Sequence, residues 1–113
     1  MGTGRRLREN ERDLIAAMLD RESTSAELLS SLSANTVEDT NDGGMGSIRF
    51  VGSGSERHLG EAIAEAEYTD DDGILVSIAL NTDTSGRLYE VDFWKVDFSP
   101  LRRYPSPSDL RIK

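Results

Sequence analysis

The chain has 113 residues, with 13 lysines and arginines against 21 aspartates and glutamates, for a formal net charge of −8. This length allows one core, so we expect a single domain over residues 1–113 whose ends, 1–8 and 104–113, form flexible or wrapping tails. The acidic balance argues against gripping nucleic acid through its phosphates, which needs clustered lysine and arginine, and favours a basic partner.

The sequence contains no cysteine and no visible targeting segment. The absence of cysteine excludes disulfides, zinc sites built on thiolates and cysteine nucleophiles. Arg5 and Arg6 are not followed by an apolar run, and no stretch approaches about 18 consecutive apolar residues. We therefore expect a cytoplasmic protein without membrane association, and we expect no cofactor.

Two short helices are predicted first. Residues 9–20 place Leu14, Ile15, Met18 and Leu19 on one helical stripe. Thr24 and Glu27 then match a capping box ahead of a second apolar group, which predicts a helix ending near residue 33. Helices this short do not close a core by themselves, so we expect them to form a hairpin that packs on a sheet.

A β-hairpin is predicted next. Residues 36–40 and 47–51 are candidate strands, and the Asn-Asp-Gly-Gly sequence at 41–44 is a strong turn signal. Alternation in the second strand places Ile48 and Phe50 on one face. The Gly-Ser-rich stretch at 52–55 predicts a polar loop.

Residues 58–68 are ambiguous between helix and strand. Leu59, Ala62, Ile63 and Ala66 have helical spacing, and alanine and glutamate favour helix. The segment nevertheless continues through an Asp-Asp-Asp-Gly turn at 70–73 into a β-rich run. We favour a strand that pairs through this turn. Its alternation would place Ala62, Ala64, Ala66 and Tyr68 on one face and Glu61, Ile63, Glu65 and Glu67 on the other.

Two further strands complete the predicted sheet. Residues 74–80 are the most apolar run and predict a central strand, and residues 88–96 predict the last strand. In the last strand Tyr89, Val91 and Phe93 share one face, and Glu90, Asp92 and Trp94 share the other. Pro105 and Pro107 argue against regular structure in the tail. The predicted fold is α+β: an N-terminal helical hairpin on an antiparallel meander of four to five strands.

Three segments resemble the signatures of a known family. They are Asp-Gly-Gly-Met-Gly-Ser at 42–47, Asp-Asp-Asp-Gly at 70–73, and Glu-Val-Asp-Phe-Trp-Lys-Val-Asp-Phe-Ser-Pro-Leu at 90–101. The family resembled is one of small, uncharacterised bacterial proteins, a domain of unknown function, and the resemblance extends from about residue 5 to residue 105. It implies a single compact domain and carries no activity.

Negative charge is concentrated in the middle of the chain. Residues 61–97 contain ten acidic residues against Arg87 and Lys95, whereas both ends of the chain are rich in arginine. Either the basic ends fold back and neutralise the middle, or the acidic stretch meets a basic partner.

The strongest candidate site lies on the last strand. The candidate binding residues are Glu90, Asp92, Trp94, Lys95 and Asp97, with Asp42 and Arg49 as secondary members. An exposed aromatic residue beside charges has the composition of a binding patch. The structural alternative is that Trp94 covers the core, while Glu90 or Asp92 pairs with Arg49 or Arg87 on a neighbouring strand.

Other motifs give weaker signals. The acidic turn at 70–73 lacks the later ligands of a calcium loop, and the glycine-rich segment at 43–47 lacks the Gly-Lys-Ser/Thr ending of a phosphate loop. His58 is the only histidine, and no Gly-x-Ser-x-Gly elbow accompanies it. We interpret the first two motifs as turn and packing segments and expect His58 to be exposed.

Three functions remain, and the lack of catalytic motifs favours the first. It is an intracellular protein-binding module, similar in kind to immunity or inhibitor proteins, that docks a basic partner through an acidic sheet face. The second is a small metal-dependent enzyme with Glu90, Asp92 and Asp42 as oxygen ligands. The third is a structural homodimer paired through an exposed strand edge.

Overall fold

A seven-stranded antiparallel sheet with one α-helix forms the part of the protein that the computed structural model describes, residues 4–19, 36–40, 44–51 and 58–113. In chain order the elements are β1 (Arg5–Arg6), α1 (Glu9–Leu19), β2 (Thr36–Asp39), β3 (Ile48–Phe50), β4 (Leu59–Thr69), β5 (Leu75–Asp83), β6 (Leu88–Lys95), a 3₁₀ helix (Pro107–Asp109) and β7 (Arg111–Ile112). The strand order is β1-β2-β3-β6-β5-β4-β7, so the predicted α+β class is confirmed and β6 is the middle strand.

The predicted strand number and helical hairpin need correction. Four to five strands were expected and seven are present, because β1 and β7 have two residues each and show no alternation from which a strand can be predicted. Both lie in segments predicted to be tails. The described residues contain α1 but no helical hairpin, and the predicted second helix lies outside the described residues.

Helix α1 covers one face of the sheet with the predicted apolar stripe. Its buried apolar residues are Leu14, Ile15, Met18 and Leu19. At its start the backbone N–H of Arg8 donates to the Glu11 carboxylate at 2.8 Å, which satisfies a donor ahead of the helix and places negative charge in its first turn. The buried Glu11 is therefore also part of the helix cap.

The core lies between α1 and the central strands. Val76, Ile78 and Leu80 of β5 are buried, and Ile78 is paired across the sheet with Phe93 of β6. Full burial of an aliphatic or aromatic side chain of this size contributes about 1.5–3 kcal/mol. Ile48 and Phe50 are also buried, as their alternation predicted.

Strand β4 confirms the strand interpretation of residues 58–68. Ala66 and Tyr68, which were predicted to share a face, are both buried, whereas Ala62, predicted on the same face, is exposed. Ile63 was predicted on the opposite face, but it packs against the core because the pairing with β5 shifts register between Leu59 and Ala64. At this irregularity a Cβ on Gly60 would lie 2.6 Å from the backbone oxygen of Asp83, so glycine fits where a larger residue does not.

Strand β6 also departs from strict alternation at its start. Tyr89 was predicted on the face of Val91 and Phe93, but Leu88 is buried in its place, because the register with β5 shifts between Asn81 and Thr82. From Val91 onward the predicted alternation holds: Val91 and Phe93 are buried, and Asp92 and Trp94 are exposed.

The C-terminal segment wraps onto the sheet and is partly regular. The Tyr104 ring lies 5.5 Å from the Phe93 ring between centroids. Pro107 begins the 3₁₀ helix, and β7 pairs with Ala66 and Glu67 on the outer edge of β4. The expectation that the prolines exclude regular structure was therefore wrong. In the described part of the chain, no helix has the length and apolar character needed to span a bilayer.

Candidate functional site

The sheet has a second face, opposite α1, which we call the open face. Strand registers place Glu67, Ser77 and Trp94 in one row across it, and Glu65, Ala79 and Asp92 in the next. A third row contains Asn81, Glu90 and Arg49. The prediction that Glu90, Asp92 and Trp94 share one face is therefore confirmed.

An exposed apolar patch lies where β6 ends. Trp94 is 49% exposed and Phe98 is 61% exposed, and their rings pack edge to face with centroids 4.9 Å apart. Val96 is also exposed, so this short segment holds three of the five large apolar side chains that are exposed among the described residues. We call Trp94, Val96 and Phe98 the aromatic patch. Such clustering differs from the single apolar residues scattered over ordinary surfaces.

The turn after β6 presents Phe98 in a strained conformation. Phe98 has a φ of 63°, in the left-handed region that costs a residue with a Cβ about 1–2 kcal/mol. Its N–H donates to the Lys95 carbonyl at 2.9 Å, and the Asp97 carboxylate accepts from the N–H and hydroxyl of Ser99. These bonds lower the pKa of Asp97, so this carboxylate stabilises the turn and stays ionised.

Glu90 forms a cross-strand ion pair with Arg49, which was the structural alternative to a binding role. It accepts a hydrogen bond from the Asn81 amide at 3.0 Å, and its other oxygen lies 3.7 Å from a guanidinium nitrogen of Arg49. The guanidinium carbon of Arg49 lies 5.6 Å from the centre of the Tyr89 ring. Trp94, in contrast, is too exposed to cover the core, so the structural alternative does not hold for it.

Lys95 was grouped with these surface residues, but it points to the opposite side of the sheet. Its side chain is 0% exposed. The ammonium donates to Asp70 at 2.9 Å, to Asp72 at 2.6 Å and to the Pro100 carbonyl at 3.1 Å. Burial by itself lowers the pKa of Lys95, but the hydrogen bonds to Asp72 and Asp70 outweigh it and the pKa is raised. The amine is therefore a charged structural group and not an activated nucleophile.

Asp70 anchors the C-terminal segment through the same cluster. Besides the lysine, its carboxylate accepts the backbone N–H groups of Asp71, Arg102 and Arg103 at 2.8, 2.8 and 3.0 Å. Burial raises the pKa of Asp70, whereas these N–H groups and the Lys95 ammonium lower it, and the result is a pKa of about 2. We call Lys95, Asp70 and Asp72 the Lys95 cluster.

The described part of the glycine-rich segment, residues 44–47, packs against Pro100 and Leu101. A Cβ on Gly44 would lie 3.2 Å from Pro100, and one on Gly46 would lie 2.9 Å from Leu101. The Leu101 N–H donates to the Gly44 carbonyl at 3.1 Å. The interpretation of this segment as a packing element is confirmed. Met45 of the same segment accepts the backbone N–H of Lys95 on its sulfur at 3.3 Å, so residues 44–47 also lie next to the Lys95 cluster.

The basic C-terminal end folds back onto the acidic middle. Arg102 pairs with Asp72, Arg103 with Asp71 and Asp109, and Arg111 and Lys113 with Glu67. These partners belong to β4, its turn and the 3₁₀ helix. At the other end Arg5 pairs with Glu11 and Asp39 instead. Neutralisation is therefore confirmed for the C-terminal end, which covers the β4 side of the acidic stretch, and not for the N-terminal arginine Arg5.

For the remaining candidate site residues, the structure shows few contacts that would indicate a function. Asp92 is exposed and lies 3.4 Å from the Ser47 hydroxyl. His58 is exposed, as expected, and Asp42 lies outside the described residues. Among residues 4–19, 36–40, 44–51 and 58–113, no three histidine or acidic side chains are placed to hold a metal ion.

Two features of this region, the burial of Lys95 and the backbone conformation of Phe98, were not predicted from the sequence. The alternation of Val91 and Phe93 places Lys95 inward, and an inward lysine after an acidic turn is a signal for a buried ion pair. Phe98 left no comparable signal, because nothing in a phenylalanine indicates a left-handed backbone.

Fold and site together define a small α+β domain with one sheet face packed under a helix and the other carrying an aromatic patch. The chain belongs to the family described as Domain of unknown function (DUF6984), which matches residues 4–105. No curated protein and no solved structure matches the chain significantly. The expected relation to a domain of unknown function is thus confirmed.

Proposed function

We propose that this protein is a binding module that docks a basic partner protein on its open face, around Trp94 and Phe98. The observation that carries the proposal is the aromatic patch, in which two packed rings are 49% and 61% exposed beside carboxylates. Tryptophan is enriched among the few residues that dominate the binding energy of protein interfaces, and truncating such a residue costs about 2 kcal/mol or more.

The backbone conformation of Phe98 supports the same proposal. A left-handed phenylalanine lowers the stability of the folded chain, and its ring recovers little by burial because it is mostly exposed. Strain of this kind is concentrated at functional sites. We infer that the turn is kept because it presents the Phe98 ring beside Trp94.

Charge defines the kind of partner. Asp92 lies two residues before Trp94 on the same face, Asp97 lies in the turn, and Glu65 shares the row of Asp92. With a net charge of −8, the chain attracts a basic surface and repels an acidic one. The proposal includes partners of the kind that immunity or inhibitor proteins bind.

A capture experiment tests the proposal. Immobilised wild-type protein, Trp94→Ala and Val51→Ala are each exposed to an extract of the source cells at low and high salt. Val51 is a matched control because it is another exposed apolar residue, at the end of β3. We expect a basic protein that wild type and Val51→Ala retain at low salt, and that high salt or Trp94→Ala releases. Equal retention by Trp94→Ala would contradict the proposal.

Self-association through a strand edge is a second candidate. Strand β7 pairs with Ala66 and Glu67 of β4, so it does not pair with the part of β4 from Leu59 to Ala64. Leu59, at the start of this part, is 54% exposed. An exposed edge is a template for pairing with a second copy. Light scattering over a concentration series tests it: a dimer that dissociates in Leu59→Lys, a change at the exposed edge, would support pairing at this edge, and a monomer throughout would exclude it.

A further inference from the structure

We propose that Trp94 and Asp92 form a subsite for an arginine side chain of the partner, with its guanidinium over the indole ring and against the carboxylate. This inference rests on the proposed function and specifies what the open face recognises. The proposed function requires only a basic partner surface. The subsite specifies the chemical group, a guanidinium, and the two side chains that bind it.

The protein already contains one such arrangement, filled by its own arginine. The guanidinium carbon of Arg49 lies 5.6 Å from the Tyr89 ring centre, and a guanidinium nitrogen lies 3.7 Å from the Glu90 carboxylate. A ring and a carboxylate of β6 therefore hold a guanidinium supplied by β3. The contact distance is within the range of a cation–π interaction.

Further along the same strand, Trp94 and Asp92 supply the same two kinds of group, a ring and a carboxylate, with one residue between them. The Asp92 carboxylate also accepts from the Ser47 hydroxyl at 3.4 Å, which leaves further lone pairs of its two oxygens for a guanidinium. Trp94 and Asp92 are two residues apart on the open face, so their Cα atoms are about 6.6 Å apart along an extended strand. Tryptophan is the ring that binds cations best. Among the described residues, no arginine or lysine side chain lies over the Trp94 ring. The ring is half exposed, and its Phe98 contact is edge to face.

Arginine fits this pair better than lysine does. Its guanidinium is planar and weakly hydrated, so it stacks on an aromatic ring while its N–H groups still reach a carboxylate. A lysine ammonium is compact and strongly hydrated, and it gains less from the ring. We therefore expect the partner to use arginine at the centre of the contact.

Fluorination of the tryptophan tests the cation–π contact directly. The chain has one tryptophan, so biosynthetic incorporation of fluorotryptophans changes Trp94 alone. The probe is a short capped peptide of Gly-Arg repeats, and binding is followed by the backbone amide signals of the open face in NMR. We expect affinity to fall with each added fluorine, by about 2- to 5-fold in total, because fluorine withdraws charge from the ring face.

Matched peptides and variants separate this inference from the proposed function. We expect weaker binding of Gly-Lys repeats, none of a citrulline peptide, and a smaller salt dependence in Asp92→Asn. If fluorination has no effect and Trp94→Leu binds like wild type while Trp94→Ala does not, the face binds by apolar contact. The subsite is then overturned and the proposed function stands. If Trp94→Ala also binds the Gly-Arg peptide and the captured partner normally, both are overturned.

Discussion

For Lys95, residue type and strand position lead to opposite predictions. Its charge suggests an exposed side chain, whereas its place in the alternation of β6 predicts a buried one. Charged residues are rarely fully buried, which is why it was grouped with the surface residues that surround it in sequence. The alternation of β6 nevertheless directs it inward, where two carboxylates and a carbonyl accept its three N–H donors. Position within the strand outweighs residue type here because the turn after β4 supplies the charge partners.

The first prediction concerns the loss of this lysine. Lys95→Met keeps the volume but leaves Asp70 and Asp72 facing a site without its cation, so the protein should unfold at a clearly lower urea concentration. The matched control is Arg49→Met, which breaks an exposed pair with Glu90 and should cost less than about 1 kcal/mol. Equal urea midpoints for the two variants would show that the Lys95 cluster is not a structural anchor.

The second prediction is a loss of stability in acid that depends on Asp70. Its pKa is about 2 in the folded protein and about 4 in the unfolded chain, so the unfolded chain binds more protons between these values. The stabilisation is complete above about pH 4 and is lost as the pH falls towards 2. Unfolding free energies of wild type and Asp70→Asn over this range check it. We expect a shallower slope for the variant, and equal slopes would refute this origin.

At the scale of elements, strands with regular alternation were predictable and irregular ones were not. β3, the first six residues of β5 and most of β6 follow the period-2 pattern, and the faces of Ile48, Phe50 and Trp94 were predicted correctly. The register shifts in β4 and β6 depend on the neighbouring strand, which a single segment does not reveal. The same holds for β1 and β7, whose two residues are strands only because β2 and β4 pair with them.

The third prediction concerns the irregular start of β4. Gly60→Ala should destabilise the protein by about 1–3 kcal/mol, because the added Cβ meets the backbone oxygen of Asp83 at 2.6 Å and backbone cannot yield as a side chain would. Ala62→Ser also adds one heavy atom, at an exposed position of the same strand, and should change stability by less than about 0.5 kcal/mol. Denaturant unfolding of both variants measures the difference, and similar losses would indicate that the close approach is absent.

At the scale of the whole molecule, the two sheet faces have different roles. One face packs on α1, and the C-terminal segment is fixed to its end by the Lys95 cluster and by the Tyr68 hydroxyl, which donates to the Arg103 carbonyl at 2.9 Å. The other carries the aromatic patch. Composition predicted the acidic middle, but only the fold shows that its β4 side is neutralised internally while Trp94 is exposed on β6.

The fourth prediction separates binding from stability. Phe98→Gly removes the left-handed strain and the exposed ring contact together, so the free energy of unfolding should change by less than about 1 kcal/mol. Affinity for the captured partner should nevertheless fall, because half of the ring pair is lost. Urea unfolding and calorimetric titration give the two quantities. A large loss of stability with normal binding would make Phe98 a structural residue.

The most direct test of the central claim is the affinity of the captured partner for wild type and Trp94→Ala, measured by calorimetric titration at low and high salt. We predict that Trp94→Ala weakens binding about 30-fold, the equivalent of 2 kcal/mol, and that wild-type affinity falls as salt rises. The folded state should be unaffected, because the side chain is half exposed. An affinity within a factor of about two of wild type at both salt concentrations would mean that the open face is solvated surface and not the binding site.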